Sequence, residues 1–147
     1  MVLPNEFQNH SLLLYYKGDI SALTLFAQHE NGSVCLPEPL PPLSSILQEE
    51  SGYSSKVSVH PAVLVQGVNQ LLNLDNDLLV GEAGYCEYVD TPKGIITVYM
   101  ARFKLLDPPH KLMQTLGYRL RTLPELRGRP PTEMELLRRA YVKVMES

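Results

Sequence analysis

The sequence predicts an α+β domain, a mixed β-sheet with helices packed on its faces and an amphipathic helix at the C-terminus. Three observations carry this. Short β-branched and aromatic runs bounded by Gly, Asn, Asp and Pro recur along the chain. They occur in clusters separated by helical stretches, not in strict βαβ alternation. The C-terminal segment then switches to an apolar stripe of helical period. A chain of 147 residues with 44% hydrophobic content is one domain's worth, so a single domain over residues 1–147 is expected.

Ser11–Lys17 (SLLLYYK) and Ala22–Gln28 (ALTLFAQ) read as the first two strands, and His29–Gly32 as a turn whose Asn-Gly pair tolerates left-handed backbone. Cys35–Leu43 (CLPEPLPPL) carries four prolines in nine residues, which suits a constrained, extended loop and neither a helix nor a central strand. Leu43 to Ser51 is expected as a short helix, with Leu43, Ile46 and Leu47 on one face and Gly52 as terminator. Lys56–Val68 (KVSVHPAVLVQGV) has the β-branched content of a strand interrupted at His60-Pro61. Asn69–Gly81 alternates Asn and Asp with leucines and is expected as loop with a helical turn.

The strongest β signal is the pair Gly84–Asp90 and Gly94–Phe103 around Thr-Pro-Lys, a hairpin with a short loop. In its second arm Ile96, Val98 and Met100 share one face, and Thr97, Tyr99, Ala101 and Phe103 the other. His110–Leu116 is expected as a helical turn, Tyr118–Leu123 (YRLRTL) as a short strand and Pro124–Leu126 as a turn. In the last helix Thr132 is the expected cap and Glu135 completes a capping box, before the stripe Leu136, Leu137, Ala140, Tyr141, Val144 and Met145.

Composition narrows the function classes. Residues 1–100 hold three Lys/Arg against eleven Asp/Glu, and residues 101–147 hold ten against five. An acidic body with a basic C-terminal third is not the footprint of a nucleic-acid binder. It suits two ends that pack together, or a small anionic ligand held by a few arginines. No apolar run is long enough for a membrane span. The N-terminus has no basic cluster before its short apolar run, so no secretory signal is expected. Cys35 and Cys86 lie in no metal or redox spacing and read as reduced thiols of a cytoplasmic protein.

Arg119, Arg121, Arg127 and Arg129 gather around the last strand and turn. Strand alternation puts Arg119 and Arg121 on one side, where paired guanidiniums suit phosphate or carboxylate. A solvated strand face answering nearby acids explains the same residues. His60 reads as a hydrogen-bonded structural histidine, and His10, His29 and His110 as residues at element boundaries.

Leu47–Tyr53 (LQEESGY) is the stretch that resembles a known family. Glu49-Glu50-Ser51-Gly52-Tyr53, with Leu47 before it, is similar to the end of the Nudix box, G-x5-E-x7-R-E-U-x-E-E-x-G-U, where U is a bulky apolar residue. The chain resembles a Nudix (MutT-like) hydrolase fold with a degenerate box. In that family the box helix presents three carboxylates around Mg²⁺, which neutralises a bridging pyrophosphate and orients water. Here Ser45 and Ile46 stand at the R-E positions, and Pro37 at the upstream Glu position. The resemblance therefore implies Glu49 and Glu50 as metal residues, Mg²⁺ as cofactor, and Arg119 and Arg121 as substrate-binding residues for a nucleotide or other diphosphate-containing molecule. It leaves catalysis weak or absent and the catalytic residues unassigned. A helix ending at Gly52 explains the glycine without any site, but two glutamates in the last turn oppose the helix dipole by about 0.3–1 kcal/mol each. The alternative is a non-enzymatic interaction module, self-associating as a homodimer or binding a protein partner through the Pro-rich loop or the hairpin. A third reading replaces the missing metal ligand with Glu82, Glu87 or Asp90.

Overall fold

The computed structural model describes residues 7–47, 59–82 and 84–146. Among them run β1 (His10–Lys17), β2 (Thr24–His29), β3 (Ser45–Ile46), α1 (Pro61–Leu72), β4 (Leu79–Gly81), β5 (Glu87–Thr91), β6 (Gly94–Phe103), α2 (His110–Thr115), β7 (Tyr118–Arg121), a 3₁₀ turn at Pro124–Leu126 and α3 (Pro131–Glu146). The described strands form one mixed sheet in the order β3-β5-β6-β1-β2-β7, with β4 also paired to β6. The expected α+β class with helices on the sheet faces is what the chain adopts.

β1 lies at the centre, parallel to β6 from His10↔Thr97 to Tyr15↔Arg102 and antiparallel to β2. Six consecutive residues of β1, Ser11–Tyr16, are buried, as expected of a strand covered on both faces. Alternation divides them between two cores. Leu12, Leu14 and Tyr16 join Tyr99, Ala101 and Phe103 of β6 under α1 and Met113 of α2. Leu13 and Tyr15 join Val98 and Met100 under Leu136, Leu137, Ala140 and Val144 of α3. The two faces expected of β6 are the faces it uses.

Two expected elements take another form. Pro61–Val68 is helix, not strand: Pro61 starts α1, His60 caps it by accepting from the Ala62 amide at 3.1 Å, and Leu64, Val65 and Val68 form a buried stripe. A helical stripe reaching the core outweighs the modest helix cost of the valines. The same helix absorbs Asn69–Leu72 of the expected loop and ends at Asn73, left-handed at φ 56°.

The expected helix at Leu43–Ser51 is absent in its described part. Leu43 is left-handed at φ 64°, Ser45–Ile46 pair with Asp90 and Val89, and the Leu47 amide donates to Tyr88 O at 2.9 Å. A ladder to β5 satisfies backbone groups that a single helical turn would leave open. Residues 48–51 of that expectation lie outside the described residues.

At the C-terminus the expected capping box does not form. α3 starts at Pro131, so Thr132 sits inside the first turn and donates to Ser44 O instead, while Glu135 pairs with Arg138. Glu133 takes the decisive place. Its carboxylate, 3% exposed, accepts from Ser33 Oγ and the Val34 amide at 3.2 Å each, and from Arg129 Nε and Nη2 at 3.1 and 2.9 Å. It lies in the first turn of α3, where the helix dipole favours negative charge. Gly32, at φ 96°, leaves room for the guanidinium: a Cβ there would meet Arg129 Nη1 at 2.7 Å.

Removing this carboxylate leaves a half-buried guanidinium and two buried donors without their acceptor. Glu133→Ala is expected to lower the unfolding free energy by about 3 kcal/mol, read as a reduced urea midpoint with unchanged m-value. A loss below about 0.5 kcal/mol, the range of an exposed pair, would show that the network contributes little.

Candidate functional site

The predicted arginines meet on β7, the outer strand beside β2. Tyr118 and Leu120 turn into the first core, which puts Arg119 and Arg121 on the opposite side, as alternation requires. Arg121 is held by Glu125 at 3.4 Å, and Glu125 also accepts from the Thr122 amide at 2.9 Å. These bonds, the Thr122 amide first, hold the Glu125 carboxyl below its usual range. Arg119 is exposed and makes no ion pair with any described carboxylate.

Around these arginines lies a polar groove of about 380 Å³, walled by Gln28, His29, Glu30, Gln114 and Gly117. Cross-strand register places Gln28 opposite Arg119. Gln28 is already engaged, donating through Nε2 to Gly32 O at 2.9 Å. His29 Nδ1 accepts from the Asn31 amide at 3.1 Å, so the neutral ring carries its proton on Nε2. Its ring stands edge-on to Tyr118, with centroids 4.9 Å apart. Gly117 turns this corner at φ 86°, a left-handed conformation that favours glycine. The groove thus combines the donors of Arg119, Arg121 and Gln114 with the carboxylate of Glu30, and Arg119 is its charge without an ion-pair partner among the described residues. Guanidiniums so placed offer hydrogen bonds to the oxygens of an anion. Its lining holds no serine, threonine or cysteine to act as a nucleophile.

Glu49 and Glu50 lie outside the described residues. Ser45 and Ile46, which resemble the R-E positions, lie on β3, carry no carboxylate and alternate across a strand. The described residues therefore offer no helical face for Mg²⁺ and do not fit that group. No group of three His, Cys, Asp or Glu among them is placed to hold a metal ion.

The substitute acids are engaged elsewhere. Glu82 accepts from the Tyr15 hydroxyl at 2.8 Å, Glu87 pairs with Arg139 at 2.6 Å, and Asp90 lies exposed opposite Ser45. None of the three lines the arginine groove. Arg139 of α3 reaches across to β5 through that pair. Of the other arginines, Arg129 belongs to the Glu133 network and Arg127 is exposed.

A second concavity, about 390 Å³, was not signalled by any chemical motif. It lies between the Pro-rich loop and the β5–β6 turn, walled by Phe7, Pro37, Pro39, Leu40 and Ile96, with His10 and Lys93 at its polar side. The signal for its walls was present as the four clustered prolines. That a β-turn 50 residues later would face them is a matter of topology.

No protein-family model matches the chain, and a search of curated proteins finds no match to it. Among the described residues no helix is long and apolar enough to cross a membrane.

Both cysteines are free. Burial, and then the nearby Glu133 carboxylate, push the Cys35 thiol up to about 12. Burial also raises Cys86, Tyr15 and Tyr85, the Glu82 hydrogen bond adding to the rise at Tyr15. In the native protein a thiol reagent at pH 8 is expected to titrate Cys86, with Cys35 reacting only after denaturation. These raised groups favour the folded state while neutral. Their contribution is complete below the ordinary thiol value of 9.0 and falls away as pH rises toward about 12. A urea midpoint that stays constant from pH 8 to 11 would contradict this.

Proposed function

We propose that the chain is a Nudix-like domain that binds a small anionic ligand, a nucleoside-diphosphate-linked molecule, with weak or absent pyrophosphohydrolase activity. The observation that carries the binding is Arg119, exposed and without a carboxylate partner among the described residues, in a polar groove that it shares with Arg121, Gln114 and His29. A guanidinium offers a planar pair of donors that matches two phosphate oxygens. Arg121, steadied by Glu125, supplies a second positive charge two residues along the same strand.

The non-hydrolytic part is supported by Ser45 and Ile46 lying on a strand, which leaves Glu49 and Glu50 without a helical third carboxylate at those positions. Glu49 and Glu50 would be the residues to hold Mg²⁺, which would supply counter-charge to the diphosphate; no hydrolytic step is assigned to it. The family assignment rests on the E-E-x-G-U resemblance together with a mixed sheet flanked by helices. Two free cysteines accord with a cytoplasmic location.

Calorimetric titration with a panel of nucleoside diphosphate derivatives, with and without Mg²⁺, tests the reading. Arg119→Ala is expected to weaken binding roughly tenfold or more, the value of a charge-assisted hydrogen bond, at unchanged melting temperature. Glu49→Ala and Glu50→Ala are expected to remove only the Mg²⁺-dependent part. Absence of any binding by the native chain would sink the proposal.

A second reading is favoured by the cleft at the Pro-rich loop, where both contact elements expected of an interaction module, that loop and the β5–β6 hairpin, come together. On this reading the cleft seats an apolar side chain of a partner, and self-association is one form of it. Light scattering coupled to size-exclusion chromatography is expected to give a mass above the monomer's 16.5 kDa at high concentration. A strict monomer counts against the self-associating form.

A further inference from the structure

Among the described residues the outer edge of β7 is unpaired, and its register shows which backbone groups it offers. Gly117 O accepts from the Glu30 amide at 2.9 Å, continuing the ladder that pairs Gln28 with Arg119 and Phe26 with Arg121. Hydrogen-bonded pairs recur at every second residue of an antiparallel ladder, so the backbone groups of Arg119 and Arg121 face β2. Those of Tyr118 and Leu120 face outward, and no described residue pairs with them. A shallow groove of about 220 Å³ follows this edge beside α2, with His110 and Gln114 along its far side.

We propose that this edge takes up an extended acidic segment of another protein as an added strand, with carboxylates at alternate positions over Arg119 and Arg121. The N–H and C=O of Tyr118 and Leu120 supply the main-chain bonds, the usual source of affinity when a peptide extends a sheet. Specificity comes from the face. Residues two apart on the added strand fall on one side, so an Asp/Glu-x-Asp/Glu pattern sets both acids across from the arginines. Arg119 has no competing carboxylate among the described residues, and the Glu125 contact to Arg121 is long enough, at 3.4 Å, to be shared.

A second copy of the chain is a poor occupant. Antiparallel pairing of β7 with its own copy, centred on residue 119 or 120, sets Arg119 opposite Arg119 or Arg121 on the same face. Like charges directly opposed across strands destabilise the pairing. Partner and small anion share Arg119, so sensitivity to that residue alone does not separate them. Dependence on backbone hydrogen bonding does.

The probe is a capped eight-residue peptide in which aspartate alternates with valine, titrated into the ¹⁵N-labelled full chain. The Tyr118 and Leu120 amides are expected to shift and to gain protection from hydrogen exchange. Arg119→Glu is expected to weaken this peptide roughly tenfold and to favour the version with lysine for aspartate. Of two isomers N-methylated at alternate amides, the one that blocks the edge facing β7 is expected to lose binding and the other to keep it. Equal binding by both isomers, or no change in protection at Tyr118 and Leu120, would overturn the proposal and leave the arginines as charges that guard the edge.

Discussion

The carboxylate of Glu133 is the contact on which the arrangement depends. A buried charge is tolerated only when its lone pairs are filled, and this one is met by two donors from the segment that follows the β2 turn and by a forked guanidinium. The bond joins the start of α3 to Ser33 and Val34, one hundred residues earlier in the chain. Placed there, α3 covers the second face of the sheet along its whole length. Thr132 reaches Ser44 at the approach to β3, the Leu136 carbonyl accepts from Tyr85, and Arg139 grips Glu87 on β5. Near the end of the helix, the Val144 carbonyl accepts from Lys17 at the end of β1. One helix thus ties together segments that the sheet alone would leave as separate strands and loops.

The parts of this fold that were legible in the sequence are those whose own pattern agrees with their neighbours. The hairpin around Pro92-Lys93, the apolar run of β1, the alternation of β7 and the stripe of α3 all formed where local pattern and burial point the same way. α1 and β3 were not legible, for opposite reasons. In α1 the β-branched residues suggested a strand, while Leu64, Val65 and Val68 also fit a helical stripe, and the packing partner that chose between them lies in β1 and β6. In β3 a leucine- and isoleucine-bearing stretch suggested a helix, but Asp90 and Val89 of β5 offered a ladder. Both choices are made by residues far away in sequence. The site divides likewise: the shared face of Arg119 and Arg121 follows from period two alone, whereas the groove needs His29, Glu30 and Gln114 brought in by β2 and α2.

The charge asymmetry of the chain gains a physical meaning once the pairs are placed. Of the seven arginines, Arg102, Arg121, Arg129, Arg138 and Arg139 have carboxylate partners. Two of these, Arg102 with Asp19 and Arg139 with Glu87, join the basic C-terminal third to the acidic body. The other three are local pairs within the last third. Five of the ten positive charges that the sequence concentrates there are therefore paired within the fold. Arg119 and Arg127 are left exposed, and of the two it is Arg119 that lines a concavity, beside an edge whose outward backbone groups no described residue pairs. Carboxylate partners account for the other five guanidiniums. Among the described residues Arg119 has none, which is why the proposed recognition of an anion rests on this residue and on the strand that carries it.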